Sequence, residues 1–209
     1  MYYGNRKTAT TLFAMSKHSL PENYRPSVKE AERYLHSWKQ QPRYFKPQNA
    51  LDKLFQETYK KNDNLDEVLI KCSALNTLYS TNVFDVYSMA KHIQNLGIDE
   101  RLSKADYSLV KDIATLKSRY FYSFASKYCS HHLHEEFAIY DSYVEIVLVS
   151  INKNEKTHFA CFKKEELKDY YTFMRVLQAF RMEFGLTQYS IRELDHYIWQ
   201  LGKTYFDER

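Results

Sequence analysis

Residues 123–144 read SFASKYCSHHLHEEFAIYDSYV (Ser123–Val144), and their pattern sets the reading of the whole chain. The first half places Lys127 among Phe124 and Tyr128 on an aromatic-rich helix. A polar link follows. The apolar run Phe137-Ala138-Ile139-Tyr140 then delivers Asp141 to the start of another apolar segment. A carboxylate held at the start of an element by apolar neighbours is partly shielded from water, so it can keep its negative charge close to a developing cation. The plainer role of Asp141 is a helix N-cap, and one side chain can do both.

Outward from this stretch the chain reads as mostly α-helical. Only four glycines (Gly4, Gly97, Gly185, Gly202) and four prolines (Pro21, Pro26, Pro42, Pro47) occur in 209 residues. That scarcity argues against a turn-rich β protein and against a glycine-rich phosphate loop. Val28, Ala31, Tyr34, Leu35 and Trp38 recur at helical spacing after Pro26-Ser27, with Pro42 and Pro47 expected to bracket the exit. Residues 49–59 and 65–78 are further helices. Thr81 or Asn82 is expected to cap the next one, which Gly97 closes. Residues 106–116, 119–132, 163–184 (stopped by Gly185) and 190–201 (stopped by Gly202) complete the set. The β-branched run from Val144 to Ile151 fits either a strand, turning at residues 152–154 into a hairpin with 157–162, or a buried helix.

Composition narrows the function classes. Charged residues make up 27% of the chain and no apolar run reaches membrane-spanning length, so a soluble cytoplasmic protein with no membrane partner is expected. The start at Met1 is polar and basic, unlike a signal peptide. Cys72, Cys129 and Cys161 are odd in number and widely spaced, which fits free thiols better than a disulfide framework. Over residues 1–50, nine Lys and Arg face three Asp and Glu. The rest of the chain carries 21 against 23. The basic residues of the first fifty are interleaved with Tyr24, Tyr34, Trp38, Tyr44 and Phe45, a mixture that suits a phosphate backbone with bases to stack on, or a solvated face with aromatics turned inward. Residues 1–25 are expected to form a basic, partly mobile segment ahead of a single helical unit over 26–209.

His131, His132 and His134 beside Glu135 and Glu136 invite a metal reading. Histidines one and two residues apart do not share a helix face, so a solvated helix end with a favourable imidazolium is the better expectation. No metal and no cofactor is expected. Cys129 lacks a partner that would make it a nucleophile and reads as buried.

Two patches carry a family resemblance: Phe124-Ala-Ser-Lys-Tyr-Cys129 followed by Phe137-Ala-Ile-Tyr-Asp141-Ser-Tyr-Val144, and Ser190-Ile-Arg-Glu-Leu-Asp195-His-Tyr-Ile-Trp199 with the Gly202-Lys203-Thr204-Tyr205 ending. They resemble the helix-hairpin-helix DNA glycosylases, nearest to a divergent bacterial branch related to 8-oxoguanine glycosylases. The resemblance spans roughly residues 65–205. It implies a two-lobed helical bundle that binds damaged duplex DNA and excises a base as an N-glycosylase, with AP-lyase activity if a lysine is in place. Asp141 stands where the family's aspartate stabilises the sugar cation. The family's lysine lies 18 residues before that aspartate, where this chain has Ser123. Lys127, one helical turn later, is the candidate nucleophile. The hairpin glycines of the family are replaced by Arg119, Tyr120 and Phe121, leaving Lys117 and Arg119 to hold phosphate by side-chain contact. Asn76, Thr81 and Asn82 fall in the segment expected to face DNA. A non-catalytic DNA-binding module on the same scaffold and a helical protein-interaction domain are the alternatives.

Overall fold

The computed structural model describes residues 19–207. Within them lie ten α-helices: α1 (Val28–Lys39), α2 (Pro42–Lys53), α3 (Leu65–Tyr79), α4 (Val86–Leu96), α5 (Asp99–Ser103), α6 (Ser108–Ala114), α7 (Tyr122–His132), α8 (Ser142–Lys153), α9 (Tyr170–Glu183) and α10 (Ile191–Phe206). One two-residue-stranded hairpin, β1 (Thr115–Leu116) with β2 (Arg119–Tyr120), is antiparallel, pairing Thr115 with Tyr120 and Leu116 with Arg119. The fold is therefore mostly α. No described helix is long and apolar enough to cross a membrane.

The helices pack pairwise around one core. Helix α3 lies along α4, and α6 along α7; α10 lies along both α8 and α1. That core is contiguous, running from Ala31 and Phe55 through Tyr128 and Phe173 to Leu201. Cys72 and Cys129 are buried as free thiols and Cys161 is exposed. Residues 1–18 of the basic leading segment lie outside the described residues. From its remainder, the Tyr24 hydroxyl meets that of Tyr197 at 2.9 Å and Arg25 pairs with Glu183.

Several boundaries differ from the sequence expectation. Pro42 opens α2 as its first residue, where a missing N–H costs nothing, and Pro47 lies inside the helix. Helix α2 then widens into a π turn at Leu54–Thr58. Asp85, not Thr81 or Asn82, caps α4 by accepting from the Ser88 amide at 3.0 Å. The 144–162 region holds no hairpin. Residues Val144, Val147, Leu148 and Ile151 make the buried face of α8, and only a short 3-10 turn, Glu155–Thr157, follows. Helix α9 starts at Tyr170, because Asp169 caps it through the Thr172 amide and separates it from a 3-10 turn at Lys164–Lys168. Gly97 and Gly185 do end helices, with φ of +59° and +65°. Gly202 does not: α10 runs through it to Phe206. A Cβ there would lie 2.6 Å from Tyr143 Cβ and 2.8 Å from its carbonyl oxygen, so the glycine is where α10 crosses the start of α8.

The hairpin joins α6 to α7. Its two-residue tip, Lys117-Ser118, turns with Lys117 at φ +55°, a left-handed conformation that costs a side-chain-bearing residue about 1 kcal/mol.

Candidate functional site

Helix α7 is buried along most of its length, and Lys127 is 2% exposed within it. Its Nζ donates to Ser123 Oγ at 2.6 Å and to the Tyr140 carbonyl at 3.4 Å, and sits 3.5 Å from Asp141 Oδ2 and 5.4 Å above the Tyr79 ring. Burial pushes the lysine below its ordinary value, and the Asp141 charge resists that shift. Ser123 is thus the hydrogen-bond partner of Lys127, one turn away on the same face. The site also holds the Asp141 carboxylate at the positive end of α8, where its Oδ1 accepts the Tyr143 amide at 2.9 Å.

The segment 137–141 that delivers Asp141 is extended and has no strand beside it. Side chains from three helices satisfy its backbone instead. Ser126 of α7 accepts the Tyr140 amide at 3.0 Å, Tyr170 of α9 donates to the Ala138 carbonyl at 2.7 Å, and Asp195 of α10 accepts the Ile139 amide at 2.8 Å. Asp195 is 5% exposed, and burial pushes its carboxyl up to about 8.

Behind Tyr79 lies a second group. Asp52 of α2 accepts a two-oxygen clasp from Arg192 (2.9 and 2.8 Å) and a bond from His131 Nδ1 at 2.7 Å, while His131 Nε2 faces the Tyr79 hydroxyl at 3.1 Å. Burial alone would raise Asp52, but its bonds to His131 and Arg192 hold it below the usual carboxylate range. Burial lowers His131, so a neutral ring donates from Nδ1 and accepts from Tyr79. This corrects the expectation of a solvated imidazolium: His131 is fully buried at a helix end packed against α2 and α3. The three histidines also diverge. His132 Nε2 meets Asn62 Oδ1 at 3.2 Å, and His134 Nδ1 meets Gln56 at 3.1 Å. No group of metal-ligating residues occurs among the described residues.

The proposed DNA contacts lie apart from the pair. At the hairpin, Lys117 pairs with Asp85 at 3.4 Å and Arg119 lies 5.7 Å above the ring of Phe84, which is 82% exposed. These residues line a cleft of about 260 Å³. Asn76 spends its side chain on the 80–83 loop: its Oδ1 accepts from Thr81 Oγ1 and the Val83 amide, and its Nδ2 donates to the Val83 carbonyl. Asn76 and Thr81 therefore shape the loop, and Asn82, exposed at φ +59°, is the side chain it presents. A larger cleft of about 740 Å³ opens between α1, α2 and α10. There His196 stacks on Trp38 with centroids 4.1 Å apart, and burial pushes the imidazole down to about 3. Neither cleft is lined by Lys127 or Asp141.

Residues 30–136 match the family model described as HI_0787_N, N-terminal domain. The chain belongs to the HI_0787_N family. An uncharacterized protein of Haemophilus influenzae is 43% identical over 147 residues, covering 68% of this chain and 69% of its own length. No solved structure matches. The span matched to HI_0787_N contains Lys117, Arg119 and Lys127 and ends before Asp141.

Three charged residues were missed by sequence reasoning: Asp52, Asp195 and Lys71. A signal existed for two of them. Asp195 falls in the apolar stripe of Ile191, Leu194, Ile198 and Leu201, and Lys71 sits beside Val68, Cys72 and Leu75. A charge at a position that helical spacing assigns to the interior needs partners there. Lys71 finds them in the Tyr59 and Lys61 carbonyls and Asn62 Oδ1, at 3.1, 2.7 and 2.7 Å, while burial lowers it to about 8.

Proposed function

We propose that this chain is a DNA N-glycosylase that excises a base from damaged duplex, with AP-lyase chemistry supplied by Lys127. The observation that carries this reading is the Lys127–Asp141 pair: an amine whose burial disfavours its charged form, 3.5 Å from a carboxylate fixed at a helix start, on the helix that follows the β1–β2 hairpin. In that role Asp141 stabilises the positive charge that spreads over the sugar as the glycosidic bond breaks. The Lys127 amine donates its electron pair to the sugar C1′. The base departs with the bonding pair and takes up a proton from solvent; the C1′–O4′ bond then breaks, the ring oxygen keeping its electron pair and taking a proton from the adduct nitrogen, which leaves a protonated Schiff base. Lys117 and Arg119 at the hairpin supply phosphate contacts beside the exposed ring of Phe84. The nucleotide must first leave the stack, and the packing over Lys127 Nζ must open to admit it.

A second reading is favoured by the burial of Lys127 and its absence from both clefts: a non-catalytic DNA-binding scaffold in which the pair ties α7 to α8. The deciding experiment is a screen against duplexes carrying oxidised, alkylated or deaminated bases, with borohydride present, alongside Lys127→Met and Asp141→Asn. The glycosylase reading expects base release and a trapped adduct from the wild type, no adduct from Lys127→Met, and strongly reduced release from Asp141→Asn. Salt-dependent binding with no release supports the scaffold. Absence of DNA binding overturns both.

A further inference from the structure

We propose that Asp195 is the positioning residue of the Lys127–Asp141 site: through Ile139 it holds segment 137–141 against α7, and its second oxygen, buried and without a hydrogen-bond partner, acts across space on the Lys127 ammonium. The catalytic use of this device rests on the glycosylase reading; the device itself does not. Extended backbone with no neighbouring strand needs its amides satisfied by side chains. Asp195 does this for Ile139, two residues before Asp141, while Ser126 accepts the Tyr140 amide and Lys127 donates to the Tyr140 carbonyl from the α7 side. Segment 137–141 is thereby clamped between α7 and α10.

The other Asp195 oxygen, Oδ1, has no donor, although the side chain is almost wholly buried. A carboxylate left half-satisfied in the interior is costly, and burial raises this one to about 8. The charged and titratable groups that act on it come from every element packed around it: Arg192 on its own helix, Lys127 of α7 and Asp141 at the start of α8. In turn its charge acts on Tyr170 of α9 and Tyr79 of α3. Near neutral pH Asp195 holds its proton, and Lys127 faces one carboxylate, Asp141. As pH rises Asp195 ionises, and its charge opposes loss of the Lys127 proton, so Lys127 gives up that proton at a higher pH than it would beside a neutral side chain. Asp195 thus controls both where Asp141 stands and when the amine becomes free.

The test uses the full chain without DNA. With lysine ¹⁵N-labelled, the Lys127 Nζ signal is identified by its loss in Lys127→Met and is titrated in the wild type and in Asp195→Asn. Asparagine keeps an oxygen for the Ile139 amide and is neutral at every pH. The Lys127 midpoint is expected to fall by about one pH unit in Asp195→Asn. Reciprocity requires that Asp195, followed by its carboxyl-carbon signal, titrate higher by a similar amount in Lys127→Met than in the wild type. That arm stands if Asp195→Asn does not fold. In Asp195→Ala, exchange of the Ile139 amide should quicken about tenfold or more, and in Asp195→Asn it should not. Unchanged Lys127 and Asp195 midpoints overturn the proposal, even if the lesion screen succeeds. A shifted midpoint in a chain that releases no base supports it and leaves only its catalytic use to fall.

Discussion

At the scale of single residues, Asp141 has two separable jobs. As an N-cap it accepts the Tyr143 amide, and as a charge it faces Lys127 Nζ. Asparagine caps as well as aspartate, so Asp141→Asn should keep the cap and lose only what the charge facing the buried Lys127 contributes. Asp141→Ala should lose about 1 kcal/mol more than Asp141→Asn, read by denaturant melts. Equal destabilisation by both variants would show that the cap contributes nothing and that the ion pair alone holds α8. The Asp52 group makes an acid-side prediction. Asp52 is held below its ordinary value in the folded chain, so its contribution is present above the unfolded carboxylate pKa, near 4, and is lost as pH falls through the lower folded value. His131, lowered by burial, adds a loss that begins below its ordinary value near 6.5, where the unfolded chain takes up a proton that the folded chain refuses. Stability of the wild type should therefore fall in two stages on acidification. Asp52→Ala, which leaves Arg192 without its partner, should cost about 2–4 kcal/mol at pH 7 and remove the lower stage.

At the scale of elements, the crossing of α8 and α10 is the most sensitive contact. Gly202→Ala would push a methyl into Tyr143 backbone and Cβ, neither of which is the end of a flexible side chain. About 1–3 kcal/mol of stability should be lost, with the Lys127–Asp141 spacing disturbed because Tyr143 lies two residues beyond Asp141. A melt indistinguishable from the wild type would mean that α10 slides freely. The hairpin predicts changes of opposite sign. Lys117→Gly relieves a left-handed φ and should stabilise the chain by about 0.5–1 kcal/mol, yet under the proposed function it should weaken DNA binding by removing a side chain proposed to meet phosphate. From the family resemblance, sequence reasoning expected backbone gripping of phosphate to be lost with the hairpin glycines and replaced by side-chain contact from Lys117 and Arg119. The chain makes the turn with a lysine at positive φ, closed by one pair of two-residue strands.

At the scale of the whole molecule, DNA binding should weaken linearly in log–log terms with salt, and Lys117→Ala and Arg119→Ala should each reduce the slope by about 1 while leaving sequence preference unchanged. A slope unaltered by both would move the DNA-facing surface away from the hairpin. The two clefts show why the site was only half legible beforehand. Lys127 and Asp141 sit 14 residues apart in one stretch, so their neighbourhood could be inferred from local pattern. Tyr79 of α3 and Asp195 of α10 reach that stretch from elsewhere in the chain, and Asp52 and Arg192 join His131 behind Tyr79; no local pattern records these meetings.

Amino-acid order alone was enough for the helical class, for the stops at Gly97 and Gly185, and for placing Lys127 and Asp141 on successive elements, because spacing, capping and backbone freedom are local properties. Helix or strand at 144–151, the passage of α10 through Gly202, and the burial of His131 were decided by the tertiary structure. A β-branched run takes whichever form buries its apolar face. A glycine ends a helix only where no neighbour needs the space, and a histidine stays neutral only where packing removes its water. Each outcome depends on residues far away in the chain, so it exists only once the helices have met.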